Sequence, residues 1–424
     1  MASATAPPRT EPAWLTARRA RGEALSASLS LPTQRTPGWE FTDLGGLDFE
    51  AFAPAPAGNP DTIATTTPLL EAPEGAVRLD QVDATALTTI GEASLDEPIV
   101  MSLAEAVSRF PELIERHFGS IVDADDPFVA RNEASWSGGA FIYVPRGKCL
   151  ADPVAITVVQ EASVASIGWR TLIVLEEDAE AEVWEQYLSA GEEVEGVFNT
   201  VVELSVGQNA RLRYVCAQSL SEKSAIFGSQ RAEVGPDGSL DWVALGFGSG
   251  RGKVRMETKL AGRGAGARVT GAYASHARQH VDFDTTQEHA APHTTSDLAF
   301  RGILGDRSTA VWRGMIKVDP GAQRTDAFQE CRNLLLSKRA HADAIPGLEI
   351  LANDVRCTHA AAIAQVDSEQ LYYLMARGLS RPEAEHLIIE GFMQALVERF
   401  AEGALRDAVA GALERRLESI LGGL

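Results

Sequence analysis

Two reactive side chains alternate near the end of the chain: Cys357 and His359, in the segment RCTHAAA. On a β-strand, residues two apart point to the same face, so the thiol and the imidazole would share one face. A thiol beside an imidazole suits soft-metal binding, or the transfer of iron or sulfur. The alternative is a buried cysteine next to a surface or interface histidine. Residue types alone favour this alternative, because free cysteines are so often buried.

A second group of candidates is formed by four histidines in two H-x-x-x-H pairs: His276, His280, His289 and His293. On a helix, residues four apart share a face and could chelate zinc. The local pattern is that of strands, where alternate residues also share a face, and the carboxylates Asp282, Asp284 and Glu288 lie nearby. A β-helix metalloenzyme with a metal at these histidines is therefore an alternative function. The simpler interpretation is that the histidines lie on a polar β face.

Two glycine-rich segments, 246–254 and 262–267, resemble nucleotide-binding loops only superficially. A Walker A loop needs a glycine where this sequence has Phe247 and a serine or threonine where it has Val254. The segment GRGAGA is followed by no helical pattern that could hold a pyrophosphate. Both segments are predicted to be β turns, so the sequence contains no recognisable nucleotide loop.

Composition and charge exclude several classes of protein. The 424 residues carry a net charge of −21, whereas a nucleic-acid surface needs concentrated positive charge. No run of 18 apolar residues predicts a membrane span, and the first residues lack the apolar core of a secretory signal. The cysteines form no C-x-x-C pair, so we expect free thiols, a reducing compartment and a cytoplasmic protein. They are Cys149, Cys216, Cys331 and Cys357.

From about Trp136, short β-branched and aromatic runs alternate with turn-like triplets such as Gln208-Asn209-Ala210. These triplets recur about every 30 residues, which indicates stacked β repeats. A β-helix and a large sandwich both fit, and the uneven repeat of small turn residues favours the β-helix. No helical pattern interrupts this body, which argues against a doubly wound α/β fold.

The pattern changes to helices at both ends of the β body. We predict an N-terminal helical region (1–125) with a disordered start (1–13) and a linker (51–62), a β-helix core (126–366) and a C-terminal helical domain (367–424). One helix should begin at Ser102 with a capping box to Glu105 and end near residues 117–119, and another should begin at Ser380 with a capping box to Glu383. The C-terminal helices carry more apolar surface than they can bury alone, so they should pack on the β body or on a partner.

Several long segments resemble the SufB/SufD family of iron–sulfur cluster assembly proteins. They are RTPGWEFTDL (35–44), WSGGAFIYVPRG (136–147), WRGMIKVDPGAQRTDAFQECRNLLLS (312–337) and the stretch 346–392, which includes DVRCTHAAAIAQVDSEQLYYLMARG. The resemblance implies a mainly β protein, with a right-handed parallel β-helix core and helical N- and C-terminal domains. It also implies a complex of one SufB-type subunit, one D-type subunit and two SufC-type ATPase subunits.

Within the family, the sequence resembles the D-type subunit. Ala340 stands where the SufB-type subunit has a cysteine, in a C-G-A-H-T-F-P segment, and Ala360 stands where that subunit has a glutamate. His359 matches the histidine of the D-type C-[ST]-H segment. The resemblance therefore implies a non-catalytic scaffold subunit, with His359 as a possible iron ligand or relay and Cys357 as an auxiliary thiol.

The resemblance also implies partners and cofactors. The end of the β-helix would join the SufB-type subunit and place His359 at the interface, and the SufC-type ATPase would dock on the C-terminal helices. No cofactor would be held tightly by the isolated chain. A transient iron–sulfur cluster would form at the interface, flavin in the complex stays open, and a homodimer is the alternative when the SufB-type subunit is absent.

Overall fold

The computed structural model describes residues 11–87 and 93–421. Its strands are β1 (Ala53–Pro54), β2 (Val77–Val82), β3 (Thr85–Ala86), β4 (Ile99–Ser102), β5 (Gly138–Val144), β6 (Val154–Gln160), β7 (Ala165–Leu175), β8 (Glu180–Ser189), β9 (Gly196–Val206), β10 (Arg211–Ser219), β11 (Ala225–Val234), β12 (Ser239–Gly246), β13 (Arg251–Leu260), β14 (Gly266–Ser275), β15 (His280–His289), β16 (Thr295–Leu304), β17 (Thr309–Val318), β18 (Asp326–Leu335), β19 (His341–Ile350) and β20 (Arg356–Gln365). Its helices are α1 (Ala13–Ser28), α2 (Thr62–Thr65), α3 (Leu103–Arg109), α4 (Pro111–His117), α5 (Pro127–Ser135), α6 (Ser368–Ala376), α7 (Arg381–Val397) and α8 (Ala404–Leu421), with a 3-10 turn at Phe49–Ala51.

The strands wind into a β-solenoid of about eight turns with helices at both ends, so the predicted mainly β fold is confirmed. From β5 to β20, successive strands alternate between two sheets, and from β7 onward each strand pairs in parallel with the strand two positions earlier. Thr295 pairs with Asp326 and Asp326 pairs with Arg356, spacings of 31 and 30 residues. One coil therefore has the length that the recurring turns predict.

One column of turn residues explains why the repeat is visible in the sequence. Each has a positive φ, between 53° and 74°, in the left-handed region that asparagine, aspartate and glycine adopt most readily. The column contains Asp178, Asn209, Asp237, Gly264, His293 and Arg324. Each donates its backbone N–H to a carbonyl in the next coil, as Asn209 does to Pro236 at 2.8 Å. The turns thus stack the coils, and His293 belongs to this column.

The N-terminal region contains strands as well as helices, which corrects the prediction of a helical region with a linker. Ala53 and Pro54, in the predicted linker, pair with β7, because an edge position tolerates a proline without an N–H. β2 and β4 extend the two sheets. Of the stretch predicted to be disordered (1–13), the first ten residues lie outside the described residues, and Ala13 begins α1.

Helix starts follow the predicted signals, with one interruption. The Ser102 hydroxyl accepts the N–H of Glu105 at the start of α3, and Ser380 and Glu383 form a full capping box at α7. The helix expected to run to about residue 117 is broken at Phe110. Pro111 has no N–H to continue the ladder, so it begins α4 instead.

The C-terminal helices cover the outer face of the second sheet. Leu396 of α7 and Leu413 of α8 belong to one apolar cluster with Val215, Val243 and Leu245 of the strands. By contrast, α6 has no buried residue. Over the described part of the chain, no helix is both long and apolar enough to cross a membrane.

Candidate functional site

The last coil, β19 and β20, ends the solenoid with two open strand edges. β19 pairs with β17, and β20 pairs with β18. On their other side, neither strand pairs with any residue that the structure describes. Each therefore presents backbone N–H and C=O groups that another strand could bind.

Cys357 and His359 lie on β20, on the face that continues the interior face of β18. Their Cα partners on β18 are Ala327 and Gln329, which are both buried. The predicted shared face is therefore present, and it is the interior face of a coil that no further coil covers. His359 is exposed, whereas Cys357 is partly buried against the apolar side chains near Val318.

The Cys357 thiol is not activated in the isolated chain. Burial raises its pKa, and the nearby Asp326 carboxylate raises this pKa further. The thiolate is the nucleophile and metal ligand, so a raised pKa lowers the reactivity of Cys357 at neutral pH. A bound metal ion would reverse this, since a coordinated thiol is deprotonated.

Apolar side chains of the open coil surround these residues. Leu348 and Ile350 of β19 continue the interior rows of Ile316 and Val318, but they are 37% and 40% exposed. Ile363 of β20 is 45% exposed. The apolar interior thus continues to the molecular surface, as at a protein interface.

A second exposed apolar surface lies on α6 and the first half of α7. Tyr372, Tyr373 and Met375 of α6 and Leu387 of α7 are all exposed. The rest of α7 and α8 packs against the sheet, so this surface is directed away from the β body. We call it the α6–α7 surface.

Comparison with known proteins decides the family. Residues 158–392 match the family model described as SUF system FeS cluster assembly, SufBD core domain, and residues 85–156 match the SufBD protein N-terminal region. The chain belongs to the SufBD family. It is 28% identical to the iron–sulfur cluster assembly protein SufD of Bacillus subtilis over 422 residues, which cover 96% of this chain and 95% of that protein. It is 31% identical over 285 residues to a SufBD family protein of Staphylococcus epidermidis, covering 67% of this chain and 61% of the relative.

The two alanines that mark a D-type SufBD sequence both lie at the open coil. Ala340 is buried directly before β19. Ala360 lies on β20 opposite Glu330, so it alternates with His359 and faces away from the solenoid interior. On the interior face of β20, the ionisable side chains are therefore those of Cys357 and His359.

The predicted metal site at the four histidines is not supported. His280 and His289 are the first and last residues of β15, so a whole strand of ten residues separates the two pairs. His276 lies in the turn before that strand, where its Nε2 is 2.8 Å from Glu222. His293 lies in the turn after it. The i, i+4 spacing reflects two turns that bracket one strand.

Both central histidines are already engaged by hydroxyl groups. His280 contacts Thr309 through Nδ1 at 2.8 Å and Thr42 through Nε2 at 2.9 Å. His289 contacts Thr294 at 2.7 Å and Ser296 at 2.9 Å. Burial lowers the pKa of each imidazole to about 4. Throughout the ranges that the structure describes, no group of three or more His, Cys, Asp or Glu side chains is placed to hold a metal ion.

The remaining cysteines are not part of the open coil. Cys331 lies one coil below it, fully buried, with Asn333 Nδ2 at 3.5 Å from its sulfur. Cys216 is buried near the middle of the solenoid, and burial raises the pKa of both thiols to about 12. Cys149 is exposed and bridges to the first residue of β8, far along the solenoid from β20.

Proposed function

We propose that this chain is the non-catalytic D-type subunit of a SUF scaffold for iron–sulfur cluster assembly. In this proposal the open coil joins a SufB-type subunit, and a SufC-type ATPase docks on the α6–α7 surface. His359 meets the nascent cluster at the interface. The observation that carries the proposal is the position of His359 on the interior face of an uncovered coil. The expected cytoplasmic location stays a prediction.

The open coil is suited to a partner that is itself a β-helix. Such a partner could add a strand to β19 and another to β20, which would satisfy both rows of backbone groups. The same contact would cover Leu348, Ile350 and Ile363, so the apolar interior would continue from one subunit into the other. A second copy of this chain could bind in the same way, which keeps a homodimer as the alternative when the SufB-type subunit is absent.

His359 is the side chain of the open coil best suited to bind iron. A neutral imidazole is a good ligand for iron, and this imidazole is exposed in the isolated chain. Cys357 shares its face, but burial keeps its thiol protonated, so the thiol would act only after a metal ion or the partner lowers its pKa. The cluster is the cargo of this site, and the iron and sulfide that form it come from outside this chain.

The α6–α7 surface is suited to the ATPase. Soluble proteins seldom leave several large apolar side chains exposed together unless another protein covers them. Because α6 buries none of its own residues, docking would also stabilise this helix. The sequence contains no recognisable nucleotide loop, so ATP hydrolysis would be the task of the docked subunit.

The experiment that tests the proposal is anaerobic co-purification of the chain with SufB-type and SufC-type subunits, followed by iron and acid-labile sulfide analysis. The His359→Ala complex should assemble with normal stoichiometry but hold at least about tenfold less cluster. His341→Ala is the matched control, because His341 is also an exposed histidine of the open coil. It lies on the outer face, because it alternates along β19 with Ala342, which is buried in the solenoid interior. Normal cluster content in the His359→Ala complex would refute the role of His359.

A further inference from the structure

A row of positively charged residues borders the open coil at one corner of the solenoid. Arg278, Arg307 and Arg339 each lie two residues before the strand that follows them, which is β15, β17 or β19. The first residues of these three strands are successive Cα partners, so the arginines occupy equivalent positions in three stacked turns. Lys338 lies beside Arg339 in the last turn, and all four residues are exposed. We call these four residues the basic row.

The basic row has no anionic partner within the described ranges. Its four side chains form no ion pair and no hydrogen bond with any residue that the structure describes. Asp306 lies in the same turns, but its carboxylate accepts the backbone N–H of Ala277 at 2.9 Å. The turns stack directly, since the N–H of Arg307 donates to the carbonyl of Ala277 at 3.0 Å. Neighbouring coils are about 4.8 Å apart, and like charges at adjacent positions of a sheet are destabilising.

Elsewhere on the solenoid, stacked charges alternate in sign from coil to coil. On the second sheet, Arg213 lies between Glu182 at 3.0 Å and Asp241 at 3.1 Å, and Arg268 follows at 2.6 Å from Asp241. A similar column on the first sheet consists of Glu233, Lys259, Glu288 and Lys317. The stacked coils therefore neutralise their own charges where the charges serve the fold. The basic row departs from this pattern, so we expect its counter-charge to lie outside this chain.

The position of the row indicates where that counter-charge comes from. The chain has a net charge of −21, and the turns of earlier coils at the same corner carry the exposed acids Glu192, Glu193 and Glu222. Positive charge is thus concentrated at the end of this corner that adjoins the open coil. Lys338 and Arg339 lie in the turn that leads directly into β19, so a protein that covers the open coil comes next to them. We infer that the basic row binds an acidic segment of the SufB-type subunit.

This inference deepens the proposed function and rests on it, because the SufB-type subunit is the protein proposed to cover the open coil. Complementary charges across an interface contribute to specificity and to the rate of association. An isologous contact between two copies of this chain would bring two basic rows to one interface, where they would repel each other. The row therefore favours a partner with an acidic segment over a second copy.

The test measures the rate of association of the labelled chain with the SufB-type subunit by stopped-flow fluorescence. The triple variant Arg278→Glu, Arg307→Glu, Arg339→Glu should associate at least about tenfold more slowly at low ionic strength, because steering by complementary charge raises such rates about 10- to 1,000-fold. The difference should shrink at about 1 M salt, where the Debye length is about 3 Å.

A matched pair of single variants separates the basic row from a change in net charge. Arg307→Glu should slow association at low ionic strength, whereas Arg263→Glu should associate at the wild-type rate. Arg263 is also an exposed turn arginine, but it lies between β13 and β14, at the opposite corner of the solenoid. Neither variant should lower the urea midpoint of the free chain, so a slower rate reports the lost charge and not unfolding.

Carbodiimide cross-linking of the wild-type complex identifies what the row binds. The reagent activates a carboxylate, the Lys338 amine attacks it, an amide forms and the reagent leaves as its urea. Mass spectrometry should find Lys338 joined to an aspartate or glutamate of the SufB-type subunit. A cross-link from Lys338 to the SufC-type ATPase, or to a second copy of this chain, would overturn the inference.

The outcomes separate this inference from the proposed function. If the wild-type chain and the triple variant associate with the SufB-type subunit at the same rate at low ionic strength, the docking role of the basic row is overturned and the proposed function stands. If the wild-type chain does not bind the SufB-type subunit, the proposed function fails and this inference fails with it.

Discussion

Ile363→Asp should abolish binding of the SufB-type partner without unfolding the isolated chain. Ile363 lies on β20, on the same face as His359, and is 45% exposed. Full burial of an isoleucine contributes about 1.5–3 kcal/mol, so covering the remaining exposed part contributes roughly 1 kcal/mol. An aspartate at this position would also leave a buried charge without a partner, at a cost of about 3–5 kcal/mol.

The two contributions together are at least about 4 kcal/mol, which is roughly a thousandfold in Kd. Ile363→Ala loses only the apolar contribution and should weaken binding about fivefold. The measurement is a titration of the labelled chain with the SufB-type subunit, alongside urea unfolding of each variant alone. The unfolding free energy should fall by only about 1–2 kcal/mol, because the free chain buries about half of this side chain.

Ala364→Asp is the matched control, because it adds the same charge to the next residue, which faces away from the solenoid interior. We expect at most about a tenfold loss for this variant, since an exposed charge keeps its hydration. Equal binding by the Ile363→Asp and Ala364→Asp variants would refute coverage of the interior face. A large loss of stability in free Ile363→Asp would refute the premise that this side chain awaits a partner.

Three further predictions follow from exposure and pKa. Tyr372→Asp, at a side chain 75% exposed, should release the SufC-type ATPase in pull-down assays and leave the unfolding midpoint unchanged; retention of the ATPase would contradict docking on the α6–α7 surface. Iodoacetamide at pH 8 should label exposed Cys149 first and buried Cys331 only after unfolding, because a pKa of about 12 keeps the Cys331 thiol protonated; early labelling of Cys331 by mass spectrometry would contradict this. As the pH decreases from 6.5 to about 4, His289 takes up a proton in the unfolded state but not in the folded state, so the free energy of unfolding should decrease, and less steeply in His289→Gln. Equal dependence of the unfolding free energy on pH in the two proteins, measured by urea unfolding, would contradict a buried neutral imidazole.

The sequence predicted the architecture because its signals are local. Each coil needs a turn residue with a positive φ, and Asp178, Asn209 and Asp237 supply it at visible intervals. Alternation along a strand likewise predicts that Cys357 and His359 share one face, and their pairing with β18 confirms it. The resemblance to the SufB/SufD family, confirmed by the family match, then supplied the function that these patterns could not.

The features that were mispredicted or missed depend on how the coils stack. The spacing of His276 to His280 resembles a chelating pair. In the structure, however, His276 lies in a turn and His280 begins β15. The imidazoles of His280 and His289, the two histidines of β15, already contact threonine and serine hydroxyl groups. Coil lengths vary, as the spacings of 31 and 30 residues at β16, β18 and β20 show, so the partner of a given side chain cannot be counted from a fixed period.

The composition of the open coil argues that the working state of this protein is an assembly. Proteins that remain monomeric protect an edge strand with charged residues, prolines or bulges. From Cys357 to Gln365, β20 has no lysine, arginine, aspartate or glutamate and no proline, so nothing in this segment blocks addition of another strand. β19 differs, because Pro346 in its middle lacks the N–H that a ladder needs. Pairing along β20 should therefore be the more continuous of the two contacts. That strand carries Cys357 and His359, so the more regular part of the interface would hold the residues that we propose meet the cluster.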